Sequence, residues 1–263
     1  MVPILMYHEI SVPPDTAFDR LAVTPQAFEA QLESLVKNGF TTFTASAIAA
    51  ALATGTPLPE RAVALTFDDG FADFHERVLP LLRQHGCTAT LFVTTGWIAD
   101  AGRRAAGRRP GRMLTWSQIV EAAADGIEIG AHSHVHPELD QLGRQELRAE
   151  LAVSKRLLED ALGTSVTGLA YPFGYSNAAV RRAALEAGYA YACAVGNAMA
   201  SPQHDPLALP RLTVKASTSK DAFVQAVGGQ SLSKIYRTDH MLTKGWTVVR
   251  RTRAIATGVP IRA

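Results

Sequence analysis

Short apolar runs alternate with helical periodicity along most of the chain, and this rhythm limits the fold more than any other feature. Residues 2–7, 62–67, 89–94, 127–131, 166–171, 189–195 and 209–214 are runs of strand length bounded by Gly, Pro or polar residues. Between them the spacing predicts helices over 25–38, 71–85, 116–125, 144–162 and 177–187, several ending at a glycine: Gly39, Gly86, Gly126, Gly163 and Gly188. Repeated βα units imply an α/β fold with a mainly parallel sheet, and the count predicts a distorted (β/α)7 barrel. An open doubly wound sheet is the other arrangement this rhythm allows. In both, the loops after the strand C-termini carry the chemistry.

At 263 residues and 47% hydrophobic content, the chain can bury one substantial core. Its net charge of +2 gives no reason to expect a nucleic-acid partner. Cys87 and Cys193 stand far apart in apolar stretches, which suits buried thiols better than a disulfide or a thiolate metal site. No stretch reaches the roughly 18 apolar residues of a membrane span. The opening apolar run lacks a basic leader and is too short for a signal peptide, so a cytoplasmic location is expected. Two basic segments break the rhythm. Residues 100–112 hold Arg103, Arg104, Arg108, Arg109 and Arg112 and read as a solvated loop. From Ser231 on, seven Lys and Arg residues face Asp239 alone, so the expected division is a catalytic domain over 1–230 and a basic tail over 231–263. Peripheral contact of that tail with membrane headgroups is the less favoured reading of its charge.

Two motifs carry the chemistry. The strand 62–67 ends in Thr66, Phe67, Asp68, Asp69 and Gly70, just ahead of a helix. Adjacent carboxylates at a strand end can turn one group to a cation and the other to a substrate water, although Asp-Asp-Gly is also an ordinary turn and helix-cap sequence. The strand 127–131 runs into His132, Ser133, His134, Val135, His136 and Pro137, three histidines within five residues. His132 and His136 with one carboxylate would form a two-histidine, one-carboxylate metal set with open positions; His134 is the second-ranked alternative.

Together these motifs resemble the first two of the polysaccharide deacetylase family, the NodB homology domain or carbohydrate esterase family 4. The resemblance runs from about Val2 to Val214. It implies a metal-dependent hydrolase that removes N-acetyl, or less favoured O-acetyl, groups from a carbohydrate, within polysaccharide or glycoconjugate biosynthesis. It assigns Asp68 as general base and Asp69, His132 and His136 as ligands of a divalent ion, zinc first, with cobalt or nickel able to substitute. Ala170, Tyr171, Pro172, Phe173 and Gly174 match the third motif except that Ala170 replaces the arginine that orients the base. The Phe173 N–H remains available for an oxyanion. The late Leu-x-His motif is missing, and Leu209, Pro210, Arg211 and Leu212 stand in its place. His8, at the end of the first strand, resembles the acid histidine of the rearranged branch that includes poly-N-acetylglucosamine deacetylases. Tyr7, Pro172, Tyr175 and Arg211 are the candidate substrate contacts. The rival readings are a non-catalytic glycan-binding module and a metallohydrolase of another bond, such as a phosphoester.

Overall fold

The computed structural model of the protein describes residues 1–11, 20–108 and 110–239. Among the described residues eight strands form one parallel sheet: β1 (Ile4–Tyr7), β2 (Thr41–Phe43), β3 (Ala62–Phe67), β4 (Thr90–Val93), β5 (Glu128–Ala131), β6 (Gly168–Ala170), β7 (Tyr191–Cys193) and β8 (Leu212–Thr213). Their order is β7-β6-β5-β4-β3-β1-β8, with β2 beside the start of β3. The run 209–213 joins the two ends of that order. Leu209 bridges to Cys193 of β7, while Leu212 and Thr213 pair with Leu5 and Met6 of β1. The sheet therefore curls into the distorted barrel the rhythm predicts.

Strand parity divides the core in two. Leu5, Val63, Leu65, Leu91 and Val93 face outward and pack with helix residues such as Phe28, Leu32, Leu79 and Leu158. Ile4, Ala62, Ala64, Phe92, Ala170, Tyr191, Cys193 and Leu209 face inward. The interior is narrow, so small residues must sit opposite large ones: a Cβ at Gly130 would strike the Phe92 ring. Followed toward the C-terminal rim, the inward parity becomes polar. Ile4 and Met6 lead to His8, Ala64 and Thr66 to Asp68, Gly130 to His132, and Leu209 to Arg211. This period of two is what brings distant motifs to one place.

The helices are α1 (Pro25–Lys37), α2 (Ala45–Thr54), α3 (Leu79–His85), α4 (Trp116–Ala124), α5 (Arg144–Leu162), α6 (Ala178–Glu186), α7 (Lys220–Val227) and α8 (Leu232–Ile235). Thr24 and Thr115 cap α1 and α4 through their hydroxyls, the latter in a reciprocal box with Gln118. The expected helix 71–85 is split: a π-helical turn at Phe74–Val78 precedes α3. Pro80 has no N–H to donate to Glu76, and the wider turn absorbs that gap. The periodicity did not predict α2, because Ala45–Thr54 is almost uniformly small and apolar and shows no clear polar face. Of the expected tail, residues 231–239 pack on the domain, with Tyr236 only 4% exposed in the outer core. Residues from 240 lie outside the described ones. In the basic loop, Arg103, Arg104 and Arg108 are exposed, Arg112 pairs with Glu76 at 2.7 Å, and Arg109 is not among the described residues. Among the described residues no helix is long and apolar enough to cross a membrane.

Candidate active site

The two adjacent carboxylates are turned apart by their backbone. Asp69 adopts a left-handed φ of 75° and Gly70 follows at 88°, so Asp68 keeps the inward parity of β3 while Asp69 swings toward the histidine loop. His132 leaves β5, and Ser133 (φ 62°) and His136 (φ 59°) bend the chain so that the second imidazole returns to the first. Left-handed non-glycine residues cost of order 1–3 kcal/mol each and cluster where function demands them. The loop is tied by Ser133, whose Oγ accepts from His136 N–H at 3.0 Å. Glu150 of α5 accepts from the His134 and Val135 N–H groups at 2.8 and 2.9 Å. Ser133 lies within the histidine motif, whereas Glu150 carries no signal in the sequence.

The Nε2 atoms of His132 and His136 both lie 3.5 Å from Asp69 Oδ1, and one ligand atom from each of the three residues falls within 4.8 Å of the others. His132 Nδ1–H donates to the Ala170 carbonyl at 2.8 Å, which fixes the tautomer and leaves the Nε2 lone pair facing Asp69. Burial keeps both imidazoles neutral by lowering their pKa values. Both Asp69 oxygens are buried without a hydrogen-bond partner, and burial, then the neighbouring Asp68, pushes its carboxyl well above the usual range. An uncompensated buried carboxylate beside two neutral imidazole nitrogens is the donor set a divalent cation satisfies. His134 turns away and bonds Thr95 Oγ1 at 2.9 Å.

Asp68 has a partner the third motif does not provide. Arg211, fully buried, donates through Nη1 and Nη2 to Asp68 Oδ1 and Oδ2 at 2.6 and 2.7 Å, and Nη1 also reaches Thr66 Oγ1 at 3.2 Å. Burial alone would raise the Asp68 carboxyl; the guanidinium overrides it and holds the group well below the ordinary carboxylate range. Arg211 was expected to contact substrate, but its charged face is already engaged with Asp68. An arginine from the run into β8 thus stands where the missing arginine at position 170 would be needed. His8 Nε2 lies 4.0 Å from Asp68 Oδ2. Burial lowers the His8 pKa to about 4 despite the opposing pull of Asp68, so the ring is neutral at rest.

Three further substrate candidates fall differently. Tyr7 has the outward parity of β1: it is fully buried, its hydroxyl donates to Gln31 Oε1 at 2.9 Å, and its ring stacks on Phe67 at 5.2 Å. It is a core residue and cannot touch a bound sugar. Pro172 is buried at the head of a tight turn, Pro172–Gly174. Phe173 of that turn has φ 59° and a 48% exposed side chain, and packs on the His136 ring at 4.7 Å; Tyr175 stacks on it at 5.9 Å. Trp97 covers the other side of His136 at 4.9 Å. A cavity of about 1020 Å³ opens over His8, Asp68, Asp69, His132, His136 and Phe173.

Comparisons with known proteins identify the family. The family model for polysaccharide deacetylase matches residues 55–192. YxkH of Bacillus subtilis, named as a polysaccharide deacetylase, is 32% identical over 222 residues, covering 84% of this chain and 74% of the relative. The poly-beta-1,6-N-acetyl-D-glucosamine N-deacetylase of Escherichia coli K12 is 32% identical over 127 residues, 45% of this chain but 19% of that longer protein. The solved structure of the Streptococcus pyogenes deacetylase PplD in complex with acetate superposes with a TM-score of 0.77 at 28% identity, covering 86% of this chain and 97% of that one. The chain belongs to the polysaccharide deacetylase family, hydrolases of carbohydrate acetyl groups.

Proposed function

We propose that the protein removes N-acetyl groups from an amino-sugar polymer or glycoconjugate, using a divalent ion held by Asp69, His132 and His136. The observation that carries this reading is the unpaired, buried Asp69 carboxylate set against two neutral imidazole nitrogens. The poly-N-acetylglucosamine deacetylase among the relatives supports an N-acetylglucosamine substrate. The cavity of about 1020 Å³ is at the upper end of small-molecule sites, which suits more than an isolated acetamide.

A bound divalent ion, zinc first and cobalt or nickel in its place, would polarise the acetyl carbonyl and acidify the attacking water. Asp68, fixed by Arg211, takes a proton from that water as its oxygen bonds to the acetyl carbon. Phe173 N–H, presented on the strained turn, donates to the developing oxyanion. His8 Nε2 stands 4.0 Å from Asp68 Oδ2, and the proton that Asp68 takes is passed on to it. His8 then delivers it to the nitrogen as the carbon–nitrogen bond breaks, giving acetate and a free amine. The test is an acetate-release screen on N-acetylated and O-acetylated oligosaccharides with added zinc, cobalt or nickel. Stoichiometric acetate and free amine are expected. No acetate from the metal-loaded protein would support the binding-module alternative, and phosphate release from a phosphoester would support another hydrolase.

A further inference from the structure

Among the described residues, His8 Nδ1 is buried without a hydrogen-bond partner, and Nε2 approaches Asp68 Oδ2 at 4.0 Å. The backbone around it therefore decides where the imidazole sits. On the N-terminal side, Asp68 N–H donates to the Tyr7 carbonyl at 3.0 Å. On the C-terminal side, both polar groups of Ile10 are gripped by side chains. Its N–H donates to Asp73 Oδ2 at 2.6 Å, and its carbonyl accepts from Arg77 Nη1 at 3.0 Å. Asp73 and Arg77 are four residues apart on the helical stretch that directly follows Asp68, Asp69 and Gly70, so they share a face. Val23 closes the other edge, donating to the Glu9 carbonyl at 2.9 Å and accepting from Ser11 N–H at 3.1 Å.

The geometry points to Asp73 as a positioning residue that, with Arg77, clamps the Ile10 backbone and thereby fixes His8 against Asp68. This rests on the reading of His8 as the acid. Asp73 is 9% exposed and lies outside the metal set, so its burial calls for a separate explanation. Burial raises its carboxyl to about 7, against the lowering effect of the Ile10 N–H, with Glu9 raising it further. The 2.6 Å bond from the Ile10 amide to Asp73 Oδ2, shielded from water, holds that amide firmly. The helical stretch that starts at Asp73, four residues after the metal ligand Asp69, thus also sets the acid, linking the two through one short turn.

The test uses the full chain loaded with zinc and an N-acetylglucosamine oligomer, reading acetate. Asp73→Ala should lower kcat by about ten- to a hundredfold with KM changed by less than about threefold and zinc content retained. Asp73→Asn keeps an oxygen that can accept from Ile10 N–H and should recover to within about fivefold of the wild type. In a His8→Ala background, adding Asp73→Ala should cost less than about a further threefold, because the two act through one group. Additive losses in the double variant, or an Asn variant no better than Ala, overturn the clamp. Should Asp73→Ala fail to fold, Arg77→Met removes the other half of the grip and the same cycle with His8→Ala decides. Wild-type turnover by His8→Ala alone overturns the acid assignment itself, a result distinct from failure of the clamp.

Discussion

Replacing Arg211 with methionine removes the guanidinium that meets Asp68 face to face while roughly preserving volume. The two side chains are 0% and 3% exposed, so the carboxylate left behind is buried and unpaired. Breaking such a pair from one side costs about 3–5 kcal/mol, a large share of the 5–15 kcal/mol that typically holds a domain together. The pH dependence carries the sign. In the wild type the folded-state pKa of Asp68 is depressed, so its contribution is present above the ordinary value of 3.8 and is lost as pH falls through the lower folded value. In the variant burial, the largest cause, is opposed only by the pull of His132 and His8, so the folded value rises and the destabilisation relative to the wild type grows as pH climbs. Urea unfolding of the metal-free proteins should therefore show the full gap near about pH 7.5 and a smaller one near about pH 4, where the variant's buried carboxyl is protonated while the wild-type pair still contributes. A double variant, Arg211→Met with Asp68→Leu, should recover most of the loss. A gap under about 1 kcal/mol at neutral pH, or one that does not change with pH, would refute the argument that this pair is a mutually compensating buried charge couple.

Other outcomes follow from the same geometry. At Gly174, with φ 74°, an added Cβ would lie 2.6 Å from Val195, so Gly174→Ala should destabilise by about 1–3 kcal/mol and lower kcat by moving Phe173; chemical denaturation and steady-state kinetics read the two effects. Tyr7→Phe leaves Gln31 Oε1 without its donor and should cost about 1–3 kcal/mol in urea unfolding while KM for the glycan stays at the wild-type value. Zinc at about a hundredfold over its dissociation constant should add about 2.7 kcal/mol and raise Tm by several degrees, and Asp69→Asn should abolish most of that shift in a thermal melt.

Much of the site was legible because each motif is contiguous. Asp68 and Asp69 are neighbours, His132 and His136 share one loop, and each motif follows an apolar run, so ligand chemistry and strand-end placement could be read together. The barrel was legible from the alternation of runs and helices, whereas α2 was hidden by its uniform apolarity. Arg211 was visible as a residue but not in its place, because its bond to Asp68 spans 143 positions and exists only when the run 209–213 closes the barrel beside β1. Tyr7 was misplaced for a reason the sequence does contain. With Ile4 and Met6 inward and His8 among the active-site residues, Tyr7 must point outward, and its burial among Phe28, Phe67 and Gln31 follows from that parity. Asp73 and Glu150 act on backbone groups, and a side chain's partner on a distant loop leaves no trace in local spacing.

The division of labour between the adjacent carboxylates is tested most directly by measuring zinc content and acetate release together on Asp68→Asn and His132→Ala. The geometry predicts that Asp68→Asn keeps its zinc while losing about a hundredfold or more of turnover, because the metal set is untouched and the proton acceptor is gone. His132→Ala should lose both. Equal zinc loss in the two variants, or near-normal acetate release from zinc-loaded Asp68→Asn, would contradict the account.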